Sequence, residues 1–376
     1  MDLFAHFFFP ENDLALGRNI ANYTAPRAAV GLRASGELLP VWFMEPEDCV
    51  VAEGADAEWL EQQRVRFGMP ARLYDGCPDG LTPRPWGWSR ASRRCFQRLG
   101  FACDELPSDE RLEAIRNLSH RRRALHIAER LVAAGLNDTP VGRECSDVGE
   151  VEDYVREVGD AVVKLPWSST GRGIVMLSAE ELDTFRRQIE GMIVNQGSVC
   201  CEPRVRGLQD LAMLFTIEGG AVRYDGLSVF RSAASGSYEG NILAPQSVLE
   251  QMCCGLLRSD ALVRAKAALP GILEDVIGNA YEGPFGVDML IYENAAGEPA
   301  LDGCIELNLR NTMGHVAQQF YRRYCAESFR GMFRVDRLRP ADTSVVENGR
   351  LVEGTLCLNP PGNPFHFVAE SDPELF

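Results

Sequence analysis

Two apolar runs near the C-terminus constrain the fold of this chain more than any other feature of its sequence. Residues 286–292, Gly-Val-Asp-Met-Leu-Ile-Tyr, and residues 304–310, Cys-Ile-Glu-Leu-Asn-Leu-Arg, each have the length and the apolar side chains of a β-strand. The polar stretch 293–299 between them predicts a hairpin loop. If this loop folds about its middle, Asp288 lies roughly opposite Glu306.

The predicted hairpin carries an unusual set of polar side chains. Side chains two positions apart on a strand point the same way, so Glu306, Asn308 and Arg310 share one face, which Asp288 can join. Buried carboxylates are costly unless they are paired or bind a cation. Two carboxylates and an amide oxygen suit Mg²⁺. A structural alternative stays open, in which Glu306 and Arg310 form an ion pair and Asp288 is solvated.

A polar loop between two further predicted strands has the features of a phosphate site. The first strand carries Lys164, a point charge suited to phosphate, and the second covers 174–177. Two glycines let backbone N–H groups approach a ligand, and three hydroxyl side chains add donors. The loop consists of Ser168, Ser169, Thr170, Gly171, Arg172 and Gly173. It matches neither the Walker loop nor the dinucleotide fingerprint, and an ordinary hairpin turn is the alternative.

The order of these segments resembles the ATP-grasp superfamily, most closely its carboxylate–amine ligases. The lysine strand and the glycine-rich loop come first, a strand ending in Glu202 and Pro203 follows, and then a long strand at 211–217. The Asp strand and the Glu-x-Asn-x-Arg strand close the series, so the resemblance covers roughly residues 117–330. It implies an α/β (α+β) chain with an ATP-grasp fold, preceded by an N-terminal open α/β domain.

The resemblance implies a nucleotide role for five parts of the chain. Lys164 would contact the phosphates of ATP, and the loop 168–173 would form a lid over them. Glu202 would be the acid at the adenine pocket, with the backbone of Val205 at the base edge. Asp210 would bind the ribose, with its register uncertain by one residue.

The resemblance also implies a metal site and catalytic residues on the hairpin. Asp288, Glu306 and Asn308 would be the ligands of Mg²⁺. Arg310 would steady the charge that develops on a phosphate or tetrahedral group, and Lys164 would be the second catalytic residue.

One position departs from the pattern of the superfamily. Its members usually carry an additional lysine at the start of the lid subdomain, where this chain reads Ser-His-Arg-Arg-Arg at 119–123. An arginine also binds phosphate, although its planar fork is not equivalent to an ammonium group. Which of Arg121, Arg122 and Arg123 points inward stays open, as does the alternative of a solvated helix start.

The predicted elements and the resemblance divide the chain into four parts. These are an N-terminal α/β (pre-ATP-grasp) domain at 1–116, a lid subdomain at 117–200, a catalytic subdomain at 201–330 and a C-terminal tail packing on the core at 331–376. Strands are predicted at 4–9, 38–44, 211–217 and 221–230, a loop at 232–241, and helices at 55–67, 89–99, 120–134, 179–190, 257–277 and 313–325.

Composition argues for a soluble enzyme of the cytoplasm. The net charge of −16 argues against a surface for nucleic acid. No apolar run reaches the roughly 18 residues of a membrane span. The N-terminus has no basic region and too short an apolar run for a signal peptide. The cysteines lack the Cys-x-x-Cys spacing, and most of them are expected to be buried, reduced thiols.

Three further sets of side chains have two interpretations each. His315, expected at a helix start, either meets the substrate or packs there. A basic helix face either binds an anion or is solvated and pairs with acidic residues; it comprises Arg90, Arg93, Arg94 and Arg98. The residues after the first strand either contribute to a substrate site or form a plain turn; they are Asn12, Asp13, Arg18 and Arg27.

We therefore expect an ATP-dependent and Mg²⁺-dependent ligase that joins a small-molecule carboxylate to an amine or thiol through an acyl-phosphate. Two alternatives stay open: an ATP-grasp phosphotransferase that stops at a phosphorylated product, and a nucleotide-binding module without turnover. No nucleic acid or membrane partner is expected. The sequence names neither substrate, and a homodimer is one assembly that it allows.

Overall fold

Four sheets and eleven α-helices organise the part of the chain that the computed structural model describes, residues 3–136, 139, 141–168, 173–233 and 236–375. The helices are α1 (Asn12–Arg18), α2 (Arg27–Ser35), α3 (Ala57–Phe67), α4 (Arg90–Arg98), α5 (Asp109–Leu118), α6 (Arg122–Ala133), α7 (Val148–Val158), α8 (Leu182–Gln196), α9 (Gln246–Leu257), α10 (Ala261–Ile277) and α11 (Met313–Tyr324). The strands are β1 (Leu3–Phe7), β2 (Cys49–Val50), β3 (Leu81–Pro85), β4 (Arg143–Cys145), β5 (Asp160–Lys164), β6 (Ile174–Ser178), β7 (Val199–Pro203), β8 (Arg206–Glu218), β9 (Ala221–Ser232), β10 (Tyr238–Leu243), β11 (Gly283–Glu293), β12 (Pro299–Asn308), β13 (Gly331–Asp336), β14 (Val345–Glu347), β15 (Arg350–Glu353), β16 (Thr355–Cys357) and β17 (His366–Ser371).

The sheets differ in direction and in size. The N-terminal sheet is parallel, in the order β2-β1-β3. A four-stranded antiparallel sheet, β4-β7-β5-β6, contains the lysine strand and its partner. An eight-stranded antiparallel sheet runs β12-β11-β8-β9-β10-β13-β17-β16, so three strands from beyond residue 330 complete it. The remaining pair, β14 and β15, forms a small hairpin. Together these sheets and helices confirm the predicted α/β (α+β) class.

Two large hydrophobic clusters hold the sheets and helices together. In the first, α6, α9 and α10 pack on the eight-stranded sheet, with Leu131, Leu273 and Phe285 fully buried. In the second, α11 packs on that sheet and on residues Leu39–Trp42, and Phe320 packs against Trp42. Each such side chain contributes roughly 1.5–3 kcal/mol by leaving water. None of the helices in the described ranges is long and apolar enough to cross a membrane.

The predicted strand at 38–44 is wrong. Residues Leu39–Trp42 instead form a 3₁₀ turn, and the strand beside β1 is β2. Pro40 fixes its own φ and has no N–H to give to a sheet, and the indole of Trp42 donates to the carbonyl of Leu358 at 2.8 Å. A short, fully buried apolar run does not reveal its secondary structure by periodicity.

Two boundaries between residues 201 and 330 were also predicted wrongly. The helix expected at 257–277 is α10, which begins only at Ala261, because Arg258 adopts a left-handed φ of 54° and ends the preceding helix, α9, which was not predicted. The loop expected at 232–241 becomes strand β10 from Tyr238 onwards, where pairing with β9 and β13 outweighs the small polar composition.

Candidate active site

The predicted hairpin forms between β11 and β12, with Asp288 directly opposite Glu306. Asn308 Nδ2 donates to Asp288 Oδ2 at 3.0 Å, and Arg310 Nη2 donates to Asn308 Oδ1 at 2.7 Å. Three of the side chains expected to share a face, Asp288, Asn308 and Arg310, are therefore joined by hydrogen bonds, and the fourth, Glu306, lies on the strand opposite Asp288.

The two carboxylates of this set disfavour each other's charge. Burial, followed by the negative charge of Glu306, raises the pKa of Asp288 to about 7, although Arg310 and the hydrogen bond from Asn308 act in the opposite direction. A cation bound between the two carboxylates would relieve this cost.

Arg121 is the arginine of the 119–123 stretch that points into the site. Its side chain is only 6% exposed, and Nη1 lies 3.0 Å from Glu306 Oε2. Nε donates to the carbonyl of Leu165 at 2.9 Å and Nη2 to Ser168 Oγ at 3.2 Å. Arg122 points elsewhere, towards Glu144, and is 40% exposed. A buried cation therefore lies between the hairpin and the start of the glycine-rich loop.

Lys164 is buried and forms an ion pair with Glu202 across the neighbouring strands β5 and β7. The second carboxylate oxygen of Glu202, Oε1, is buried and accepts no hydrogen bond from the residues that the structure describes. Glu202 thus holds the lysine with one oxygen and leaves the other as a free acceptor.

A cavity of about 360 Å³ lies beside this pair. It is lined by all four residues predicted for the nucleotide outside the loop, Lys164, Glu202, Val205 and Asp210. Its apolar walls include Val162, Ile174, Met176 and Leu290. Burial raises the pKa of Asp210, against hydrogen bonds from Ser232. Apolar walls with a few polar groups are typical of a small-molecule site.

Only the two ends of the predicted lid loop fall within the described residues. Ser168 is buried and accepts from Arg121. Gly173 has a φ of +74°, and a Cβ atom there would come within 2.6 Å of the side chain of Leu165. Ser169, Thr170, Gly171 and Arg172 lie outside the described residues.

Arg310 forms an ion pair with Asp13 of α1. Its Nε and Nη2 lie 2.8 Å and 2.7 Å from Asp13 Oδ2. The backbone supports this contact through a bridge between Gly87 and Arg310, and a Cβ at Gly87 would come within 2.6 Å of Asn12 Nδ2. The first turn of α1 therefore places Asp13 against Arg310 and Asn12 beside Gly87. Gly87 was not predicted, and its only signal in the sequence is its place between two tryptophans.

Several other candidates lie away from this centre or are already paired. Arg18 donates to Asn195 of α8 at 3.1 Å, and Arg27 is exposed. Arg90 and Arg93 of the basic helix face both pair with Asp109, which agrees with the solvated, charge-paired interpretation. The remaining members, Arg94 and Arg98, make only weak contacts with Gln97 and Asn22.

His315 packs at the start of α11, in agreement with the structural interpretation. Its Nδ1 accepts from the backbone N–H of Thr312 at 3.2 Å, and the two residues form a capping box. Burial lowers the pKa of His315 to about 4, so the ring is neutral near pH 7.

The raised pKa of Asp288 predicts a pH dependence of stability. The folded state keeps a proton up to about pH 7 that the unfolded state releases near 3.8, so this group makes stability fall as the pH rises through that window. We expect Asp288→Asn to remove this slope and to be more stable than the wild type at pH 8, by roughly 2–4 kcal/mol. Urea unfolding of both proteins from pH 5 to pH 8 measures the difference. A difference in unfolding free energy that does not change with pH would contradict the shift.

Comparisons with known proteins establish the fold of the chain. No family model matches the chain, and no curated protein matches it significantly. Among solved structures, the biotin carboxylase–β,γ-ATP complex from Campylobacter jejuni is similar at a TM-score of 0.50 and 12% identity, covering 97% of this chain and 86% of that chain. N5-carboxyaminoimidazole ribonucleotide synthetase from Thermus thermophilus has a TM-score of 0.49 at 16% identity, with 99% and 94% covered. L-amino acid ligase from Bacillus licheniformis has a TM-score of 0.44 at 12% identity, with 85% and 79% covered. The sheets and the hairpin described above, together with the similarity to the first of these structures, show that the chain has the ATP-grasp fold.

Proposed function

We propose that the protein is a Mg²⁺-ATP-dependent ligase that joins a small-molecule carboxylate to an amine or thiol through an acyl-phosphate. One observation carries the proposal: three cations from separate parts of the chain pair with carboxylates around the hairpin and the cavity, the buried Arg121 and Lys164 and the partly buried Arg310. Clustered cations and carboxylates are suited to phosphoryl transfer, where catalysis is mainly positioning and charge stabilisation.

The cavity supports the nucleotide part of the proposal. Its apolar walls would contact the base, and the free oxygen of Glu202 would accept a hydrogen bond from an exocyclic amine. Lys164, next to Glu202, would reach the phosphates. The lid role of the loop 168–173 stays a prediction, because its middle falls outside the described residues.

The donor set on the hairpin fits Mg²⁺. Asp288, Glu306 and Asn308 offer two carboxylates and an amide oxygen, the hard ligands that this ion prefers. Within the described ranges, no three His, Cys, Asp or Glu side chains form a ready metal site, so phosphate oxygens of the nucleotide would have to complete the coordination. When bound, the ion would supply charge neutralisation between the carboxylates and the phosphates.

The residues of the chain would position the reacting groups. The substrate carboxylate attacks the γ-phosphorus, the bond to ADP breaks, and an amine or thiol then displaces inorganic phosphate from the acyl-phosphate. Arg310 would steady the negative charge that develops in both steps. Its hydrogen bonds to Asp13 and Asn308 fix the plane of the guanidinium before substrate arrives, so that little reorganisation is needed.

Release of ADP is the experiment that tests the proposal. The protein is incubated with Mg²⁺-ATP and pools of small carboxylates, of amines and thiols, or of both. ADP that forms only when both pools are present supports a ligase. ADP that forms with a single pool, together with a stable phosphorylated product, identifies the phosphotransferase. No ADP with any pool, despite bound ATP, would indicate the nucleotide-binding module.

We also infer that the protein acts on small molecules in the cytoplasm. All twelve cysteines are free thiols, which suits a reducing compartment.

The existing hydrogen bonds of the proposed metal ligands predict that nucleotide and metal bind together. Glu306 is paired with Arg121, and Asn308 Oδ1 accepts from Arg310. Mg²⁺ alone would have to break these contacts, whereas phosphates offer both arginines new partners. We expect ATP and Mg²⁺ together to raise the melting temperature by more than the sum of their separate effects.

Two variants test which residues are responsible for the joint binding of ATP and Mg²⁺. Lys164→Ala should weaken stabilisation by ATP with or without Mg²⁺, because the phosphates lose a cation. Glu306→Gln should mainly remove the dependence on Mg²⁺. Thermal unfolding with ATP, with Mg²⁺ and with both measures these effects. Equal stabilisation of the wild type and both variants would show that the site lies elsewhere.

A further inference from the structure

A second cavity, of about 310 Å³, lies where β9 and β10 separate beside α11. Strand β10 pairs with β9 only as far as Asn241, opposite Phe230, and its later residues pair with β13 alone. The cavity shares no lining residue with the one beside Lys164. It is therefore a separate feature of the fold.

Two glutamine side chains stabilise the separation of the strands. The side-chain amide of Gln246 in α9 makes the two hydrogen bonds that a neighbouring strand would make to the backbone of Leu227. It donates to the carbonyl of Leu227 at 2.9 Å and accepts from the N–H of Leu227 at 2.7 Å. Gln318 of α11 donates to the carbonyl of Asp225 at 2.8 Å. A Cβ at Gly226 would overlap Gln318 Nε2, so the glycine makes room for this contact. The backbone beside the cavity is thus hydrogen-bonded without a strand filling the gap.

Five of the twelve residues that line the cavity are aliphatic, and six have polar or charged side chains. The aliphatic residues belong to the two hydrophobic clusters that pack on the eight-stranded sheet. They are Leu227, Ile242, Ala244, Leu249 and Ala317. A volume of about 310 Å³ lies at the small end of the range for ligand sites, which runs from roughly 300 to 1,000 Å³. The space is suited to a small molecule with a branched aliphatic body.

Two charged side chains, Asp225 and Arg322, line the cavity. Asp225 is 12% exposed, and its only ion pair in the described structure is with Arg223, a side chain that is 71% exposed. Such a pair is screened by solvent and is worth little. Asp225 Oδ2 also accepts from the hydroxyl of Thr216 at 2.6 Å, a neutral donor that leaves the charge uncompensated.

Arg322 also lines the cavity, but unlike Asp225 it is an exposed residue. Its guanidinium forms no hydrogen bond with the described residues, although its charge acts on Asp225. A negative and a positive group, neither with a strong partner of opposite charge, therefore border the same cavity.

We propose that this cavity binds a free aliphatic α-amino acid. The carboxylate of the ligand pairs with Arg322, its ammonium group pairs with Asp225, and its side chain packs on the aliphatic wall. An arginine fork suits a carboxylate well. A plain carboxylic acid would leave Asp225 without a cation, and a plain amine would leave Arg322 without an anion. This site does not depend on the proposed ligase activity.

Isothermal titration calorimetry of the full chain with L-leucine tests the proposal. Two analogues serve as matched probes: 4-methylpentanoate lacks the amine and 3-methylbutylamine lacks the carboxylate. We expect L-leucine to bind at one site per chain and both analogues to bind about tenfold to a hundredfold more weakly, the loss that accompanies one charged hydrogen bond. Absence of binding by L-leucine, L-valine and L-isoleucine at millimolar concentration would overturn the proposal.

Variants assign the binding to the cavity. Arg322→Ala should weaken the binding of L-leucine by about tenfold or more and leave the binding of 3-methylbutylamine unchanged. Asp225→Asn should also weaken the binding of L-leucine, but it should leave the binding of 4-methylpentanoate unchanged. Arg187→Ala, at an exposed position of α8, is the charge-matched control and should bind L-leucine like the wild type. Circular dichroism confirms that each variant is folded. Equal binding of L-leucine and 4-methylpentanoate by the wild type would overturn the role of Asp225, and full affinity in folded Arg322→Ala would overturn the site.

Discussion

Arg310→Ala is expected to lower ADP-forming turnover by about 10²–10³-fold, the usual effect of removing one group that stabilises developing charge. It should also be less stable than the wild type, by roughly 3–5 kcal/mol, because a mostly buried Asp13 would lose its cation. The side chains of Arg310 and Asp13 are only 16% and 14% exposed, so solvent cannot replace the lost partner. Turnover is measured by ADP release at a temperature where the variant is folded, and stability by urea unfolding.

Asp13→Asn separates the two effects of Arg310. The amide keeps an oxygen that can accept from the guanidinium, so the loss of stability should be smaller, and turnover should fall by less than in Arg310→Ala. Asp13 is a positioning residue in this account, since it acts through Arg310. If folded Arg310→Ala turned over at the wild-type rate, the arginine would have no part in the reaction.

Arg121→Met is expected to give the second large effect, on nucleotide binding and stability together. The substitution leaves Glu306 and the carbonyl of Leu165 without their donor, which should lower the free energy of unfolding by about 3 kcal/mol or more. The proposed phosphate site would also lose one of its three cations, so ATP should raise the melting temperature far less than in the wild type. Urea unfolding and thermal shifts with Mg²⁺-ATP measure both effects.

Arg121→Lys tests whether a point charge suffices at this position. A lysine keeps the charge beside Glu306 but cannot reach Leu165 and Ser168 at the same time, so ATP binding should largely survive while stability falls by about 1–2 kcal/mol. Arg122→Met is the matched control, because that side chain is 40% exposed and should change stability by no more than about 0.5 kcal/mol. Equal effects of Arg121→Met and Arg122→Met would rule out the inward role of Arg121.

The hairpin could be predicted because its geometry depends only on residues that are close together in the sequence. A loop that folds about its middle places Asp288 opposite Glu306, and the two-residue period of a strand then places Asn308 on the same face. The nucleotide candidates came from the order of segments along the chain, and the structure brings Lys164, Glu202 and Asp210 to one cavity. Their roles in binding remain predictions.

Contacts between distant parts of the chain could not be predicted. Asp13 and Arg310 are 297 residues apart, and neither lies in a pattern that points to the other. Likewise, composition could not select Arg121 among three consecutive arginines, because the choice depends on where α6 meets the hairpin. Strand β10 itself was not predicted because its start has the composition of a loop, so the point after Asn241 where it leaves β9 could not be predicted either.

The pairing of Asp13 with Arg310 also has a consequence for the synthesis of the protein on the ribosome. At usual rates of translation, roughly 15–60 s separate the emergence of the two side chains. The interval is longer still for Phe8, which packs against Phe367, and it is of similar length for Trp42, which packs against Phe320. The N-terminal residues therefore expose apolar surface until Phe367 has been synthesised, and a chain that stops before Phe320 would depend on chaperones to stay soluble.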